Sequence, residues 1–117
     1  MAIADDNEGV RTLLEVLIGL DDRLELVGIA VDGNEAIDLV AATEPDVILL
    51  DLSMPVLDGL QVLTAVHDSN PATRVVVYSG FSGAEVQEAA FRAGAVDYLV
   101  KGVEPDVIIE RLVAAGS

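Results

Sequence analysis

The sequence predicts a doubly wound α/β domain: a five-stranded parallel sheet with helices on both faces. Three observations carry this. Short apolar runs alternate with stretches of helical period five times along the chain. The run Val47-Ile48-Leu49-Leu50 holds no polar residue, as expected of a strand buried on both faces. Connections of helix length between consecutive strands force parallel pairing, and their right-handed sense places helices on both faces. The order 2-1-3-4-5 is one of two common solutions for such a sheet, and periodicity alone does not choose it.

Strand 1 is Met1 to Ala4, short at its start and ending at Asp5-Asp6. Val10, Leu13, Leu14 and Leu17 follow at i, i+3, i+4 and i+7, an amphipathic helix that stops at Asp21-Asp22. Leu24 to Val31 is apolar and β-branched enough for strand 2, and Asp32-Gly33 is a turn. Ala36, Ile37, Val40 and Ala41 mark helix 2, which must end before Pro45. Strand 3 runs to Asp51 and is over by Pro55, which cannot donate to a ladder. Met54-Pro55 is expected to shape the loop beyond it. Asp58-Gly59 opens helix 3, marked by Leu60, Leu63 and Val66 and closed by Asn70-Pro71. Strand 4 is Arg74 to Tyr78, ending at Ser79-Gly80. Val86, Ala89, Ala90 and Ala93 give helix 4, with Gly94 as its C-cap. Strand 5 is Val96 to Val100, ending at Lys101-Gly102. Helix 5 extends from Pro105 to about Ala115, with Ile108, Ile109, Leu112 and Val113 apolar.

Residues 1–117 make one domain, large enough for a core, and 52% apolar content excludes a disordered tail. With no cysteine there is no disulfide, thiolate metal site or cysteine nucleophile. No apolar run approaches the roughly 18 residues of a membrane span, and no signal peptide is present, so the expected location is cytoplasmic. The formal charge is −15, from 21 acids against 6 bases. The five arginines are scattered over different elements, so the domain is expected not to bind nucleic acid directly. Lys101 is the only lysine.

In the order 2-1-3-4-5, Asp5, Asp6, Asp51, Ser79 and Lys101 all fall at the carboxyl ends of neighbouring strands, the edge where open α/β sheets bind ligands. Three clustered carboxylates repel one another, and a hard, oxygen-ligated cation such as Mg²⁺ relieves that. Lys101 adds a point charge for phosphoryl oxygens, and Ser79 a hydroxyl. A carboxylate nucleophile in such company suits phosphoryl transfer to Asp51. Each residue has an ordinary reading as well. Asp5 and Asp6 can cap helix 1, with Asn7 and Glu8 in range; Ser79 can be a turn residue; Lys101 can be a solvated strand terminus. His67, the sole histidine, reads as a surface residue of helix 3, and Phe81 as an apolar contact near the rim.

Asp5-Asp6, the stretch VILLDLSMPVLDGL over 47–60, Tyr78-Ser79-Gly80 and AGAVDYLVK over 93–101 together resemble the receiver domain of bacterial two-component response regulators, over essentially the whole chain. The resemblance implies a flavodoxin-like (βα)5 fold. It also implies that Asp51 takes a phosphoryl group from the phosphohistidine of a sensor histidine kinase. Mg²⁺ would be held by Asp6, Asp51 and the backbone carbonyl of Ser53, with Asp5 contributing directly or through water. Ser79 and Lys101 would bind phosphoryl oxygens, and Ser79 and Tyr98 would form the switch that alters the helix 4–strand 5–helix 5 surface, the Tyr98 ring turning inward on phosphorylation.

The chain departs from the family pattern in three ways. Gly102 follows Lys101 where many members carry a proline after a cis bond; a cis Lys-Gly bond would cost about 2.5–4 kcal/mol, so a trans bond is expected. Some receivers of LuxR-type regulators share this glycine. Strand 1 starts late, and no effector domain follows Ser117, which fits a stand-alone receiver or a piece of a longer regulator equally. The expected function is a signalling switch whose only chemistry is gain and loss of a phosphoryl group at Asp51, with an output domain or protein as partner and homodimerisation left open. The alternative is a phosphorylation-independent interaction module of the same fold, but none of the residues it would shed is missing. A flavin site would want a Ser/Thr/Gly-rich loop after strand 1, where Asp5-Asp6-Asn7-Glu8 stands. An aspartate-nucleophile phosphatase would want a second aspartate at position 53, which is serine.

Overall fold

A computed structural model describes residues 1–54 and 58–117. Pro55 therefore lies outside the described residues, and with it the expectation that Met54-Pro55 shapes the loop. Five strands alternate with five helices: β1 Ala2–Ala4, α1 Glu8–Gly19, β2 Gly28–Ala30, α2 Gly33–Thr43, β3 Val47–Leu50, α3 Gly59–Ser69, β4 Arg74–Ser79, α4 Ala84–Ala93, β5 Asp97–Val100 and α5 Pro105–Gly116. The sheet is parallel, in the order β2-β1-β3-β4-β5.

Strand alternation divides the core in two. Ala2, Ala4, Ile48, Leu50, Val75, Val77 and Tyr98 face α2, α3 and α4, packing on Val40, Val62, Leu63, Val66 and Ala90. Met1, Ile3, Val47, Leu49, Val76, Tyr78 and Leu99 face α1 and α5, packing on Leu14, Ile18, Ile108 and Leu112. All four residues of β3 are buried, as its apolar run requires.

The elements differ from expectation in three places. β2 is three residues long rather than spanning Leu24 to Val31, because β1 offers only Ala2 to Ala4 for it to pair with. On α1 the inward pair is Leu14 and Ile18, and Leu13 is 50% exposed. This helix carries apolar residues around more than half its circumference, so spacing alone does not pick the inward stripe. β5 begins at Asp97, and Val96 is exposed.

Gly94 is the C-cap of α4 at φ +118, as expected, and its missing Cβ matters twice: a Cβ there would meet the His67 ring at 2.5 Å. His67 is accordingly half-buried between α3 and the end of α4 rather than a free surface residue. No peptide bond among the described residues is cis, so Lys101–Gly102 is trans, with Gly102 taking φ +108.

Candidate functional site

β1 delivers Asp5 to the carboxyl edge of the sheet with 1% of its surface exposed, and Asp6 just beyond it in solvent. Neither caps α1. Asn7 does so, its Oδ1 accepting from the Val10 N–H at 3.0 Å, which leaves neither aspartate committed to the cap. Asp5 Oδ1 accepts from the Asn7 N–H at 2.9 Å, and the Asp5 carbonyl accepts from Arg11 at 3.0 Å. Asp5 Oδ2 is buried and, among the described residues, lacks any well-aligned hydrogen bond, although the Lys101 ammonium lies 3.0 Å away.

Asp51 leaves β3 equally buried. Its Oδ1 accepts from the Ser53 N–H at 3.1 Å and from the Ser53 hydroxyl at 2.9 Å; its Oδ2 lies 3.4 Å from Lys101 Nζ. One oxygen of each of Asp5, Asp6 and Asp51 lies within 4.8 Å of the other two. Lys101, carried past the end of β5 and tied by its N–H to the Ser79 carbonyl at 2.8 Å, bridges Asp5 and Asp51 with 26% of its side chain exposed.

Burial raises the Asp5 carboxyl above its ordinary range, and the opposing pull of the Asn7 N–H and Lys101 does not cancel it. Burial also pulls the Lys101 ammonium down, but Asp5 and Asp51 outweigh it and hold it above the ordinary lysine value. The lysine thus keeps its charge beside Asp5 and Asp51, while for Asp5 burial remains the larger influence. A buried carboxylate oxygen without an aligned hydrogen bond, beside two further carboxylates, is the donor set of a hard divalent cation. The residues present therefore fit Mg²⁺.

Ser79 is fully buried at the end of β4, where its Oγ accepts from the Phe81 N–H at 3.2 Å. Tyr98 is buried too, and its hydroxyl donates to the Phe81 carbonyl at 2.6 Å. The inward turn expected on phosphorylation is thus already made in this structure, because the Phe81 carbonyl gives the buried hydroxyl the partner it requires. Phe81, expected only as an apolar contact, joins the two expected switch residues through its backbone, while its side chain is exposed.

Residues 1–113 match the response regulator receiver domain family. The chain is a response regulator receiver domain. This receiver is 36% identical over 110 residues to YhcZ, an uncharacterized transcriptional regulatory protein of Bacillus subtilis, the match covering 94% of this chain and 51% of YhcZ. It is 34% identical over 110 residues to the nitrate/nitrite response regulator protein NarL of Escherichia coli, again over 94% of this chain and 51% of the relative. Among solved structures, the signal receiver domain of NarL from Mycobacterium tuberculosis superposes with a TM-score of 0.94 at 31% identity, covering 98% of this chain and 93% of that one. The receiver spans about half the length of these curated relatives. No helix among its described residues is long and apolar enough to cross a membrane.

Two contacts have little signature in the sequence. The resemblance to receivers points to the Ser53 carbonyl and says nothing of the Ser53 hydroxyl, which donates to Asp51. The close packing of Gly59 on the Leu52 backbone is signalled only by the Asp58-Gly59 turn.

Proposed function

We propose that this receiver domain works as a phosphoacceptor switch in a two-component system, with Asp51 accepting the phosphoryl group of a sensor histidine kinase. The observation that carries this reading is the convergence of Asp5, Asp6 and Asp51 with Lys101 at one sheet edge. Asp51 is oriented for transfer, since Ser53 holds Oδ1 through two donors and leaves Oδ2 directed at Lys101. An Asp51 oxygen forms the new O–P bond as the N–P bond to the kinase histidine breaks and its electron pair leaves with the imidazole. Lys101 then has a phosphoryl oxygen to pair with in place of Asp51 Oδ2, and the Ser79 hydroxyl donates to another. Asp6, Asp51 and the Ser53 carbonyl, with Asp5 directly or through water, would hold Mg²⁺, which would neutralise the carboxylates and the transferring group. The domain carries out no other chemistry, acts in the cytoplasm, makes no direct nucleic-acid contact and signals through an output domain or protein; self-association stays open.

Incubation with acetyl phosphate tests this. Mass spectrometry should find one added phosphoryl group that requires Mg²⁺ and is absent from Asp51→Asn. Equal labelling of that variant, or labelling undiminished by EDTA, contradicts the assignment.

The switch reading rests on the chain Ser79 Oγ, Phe81 N–H, Phe81 C=O, Tyr98 O–H. A Ser79 hydroxyl drawn to a phosphoryl oxygen pulls on the Phe81 backbone, and that motion reaches Tyr98 and the start of α4. In Tyr98→Phe, beryllofluoride should still bind at Asp51, but the accompanying amide shifts in α4 should shrink. Undiminished shifts in α4 would remove Tyr98 from the switch while leaving the phosphoacceptor intact.

A further inference from the structure

Tyr78 is one of two tyrosines, and nothing in the phosphoacceptor reading uses it. β4 alternation sends Val77 and Ser79 away from α5 and turns Val76 and Tyr78 toward it. In β5, Leu99 shares that face, and Tyr78 pairs with Leu99 in register. By the same alternation Lys101, two residues beyond Leu99, starts from the Tyr78 side of the sheet. Its side chain must then curl over the sheet edge to reach Asp5 and Asp51. It does so across the Tyr78 ring: Nζ lies over the ring, 5.7 Å from its centre, within range of the attraction between an ammonium and an aromatic face. Tyr78 is itself buried between Leu99 and the α5 layer, so the ring is a fixed surface.

A lysine is a flexible point charge with several rotatable bonds, and a lysine at a strand end ordinarily reaches into solvent. Among the described residues, the contacts on its charge are Asp5 at 3.0 Å, Asp51 at 3.4 Å and the ring. Once the Asp51 oxygens engage a phosphoryl group, the 3.4 Å contact changes partner, but the ring does not. We infer that Tyr78 is a positioning residue whose ring holds the Lys101 ammonium at the sheet edge, ready for the phosphoryl oxygens. The inference rests on the phosphoacceptor reading for its purpose but not for its geometry.

Because Lys101 is the only lysine, ¹³C-lysine labelling of the whole chain gives one ε-methylene signal in the NMR spectrum. That signal should be displaced upfield by the ring in the unaltered protein and in Tyr78→Phe, and should return toward the free-lysine position in Tyr78→Leu. Beryllofluoride affinity in the presence of Mg²⁺ should fall about fivefold in Tyr78→Leu, stay within about twofold in Tyr78→Phe, and show no added loss when Tyr78→Leu is combined with Lys101→Met. An unshifted lysine signal in the unaltered protein overturns the inference even if Tyr78→Leu does not fold. An equal loss on the Lys101→Met background also overturns it, since the ring would then be acting on packing alone. Failure of the unaltered protein to bind beryllofluoride at all would instead count against the phosphoacceptor reading, leaving the lysine signal to judge the ring contact.

Discussion

Gly59→Ala should lose about 3 kcal/mol of folding stability, the largest single-methyl effect expected in this chain. A Cβ at position 59 would lie 2.3 Å from the Leu52 carbonyl oxygen, 2.4 Å from the Leu52 Cα and 2.7 Å from its carbonyl carbon. These are backbone atoms, so no change of rotamer relieves the overlap. Gly28 offers the contrast: its Cβ would meet Leu39 Cδ1 at 2.4 Å, the far end of a side chain that can turn away. Leu52 is flanked by Asp51 and Ser53, so the displacement would also disturb the two Ser53 bonds to Asp51. Gly83, with nothing among the described residues within 4 Å of a Cβ there and φ −64, is the control, and Gly83→Ala should stay within about 0.5 kcal/mol of the unaltered chain. Urea unfolding monitored by circular dichroism measures both. A loss at Gly59 under about 1 kcal/mol would mean that the α3 N-terminus and the Leu52 turn after β3 separate more easily than their packing implies.

The second large effect is on the metal. If the three carboxylates hold Mg²⁺, an ion at one hundred times its Kd stabilises the fold by about 2.7 kcal/mol, which for a domain of this size raises Tm by roughly 10 °C. Asp5→Asn should behave oppositely in the two conditions. Without metal it should be more stable than the unaltered chain, because three clustered carboxylates face a single ammonium and neutralising the buried Asp5 removes like-charge repulsion. With Mg²⁺ it should lose most of the increment, as should Asp6→Ala. Thermal melts in EDTA and in millimolar Mg²⁺ decide this, and a shift as large in both variants as in the unaltered chain would place the ion elsewhere.

The strand ends were the most legible part of the sequence. An uninterrupted apolar run fixes where a buried strand is, so the first charged residue after it, Asp51 or Lys101, is fixed at the sheet edge as well. Asp5 followed from the same rule. Less visible were the features set by a neighbour rather than by the residue itself. The length of β2 depends on how many residues β1 can pair with, and the inward face of α1 depends on where the helix meets the sheet. Asn7 and Asp6 are equally good capping residues by type, and only the geometry assigned the cap to Asn7. The inward position of Tyr98 depends on the Phe81 carbonyl, a backbone acceptor that leaves no mark on composition or period.

The solitary lysine also gives the domain a built-in gauge of how often its strand ends come apart. A lysine-specific protease has one peptide bond to cut in these 117 residues, Lys101–Gly102, and the side chain it must grasp is engaged by Asp5 and Asp51. Cleavage therefore waits for the ammonium to leave both carboxylates and for the β5 end to loosen from the Ser79 carbonyl. Where that opening is fast relative to cutting, the rate follows the population of opened molecules. The two fragments would part α5 from the other four helices, so a single nick converts a transient excursion at one side chain into a permanent change of architecture.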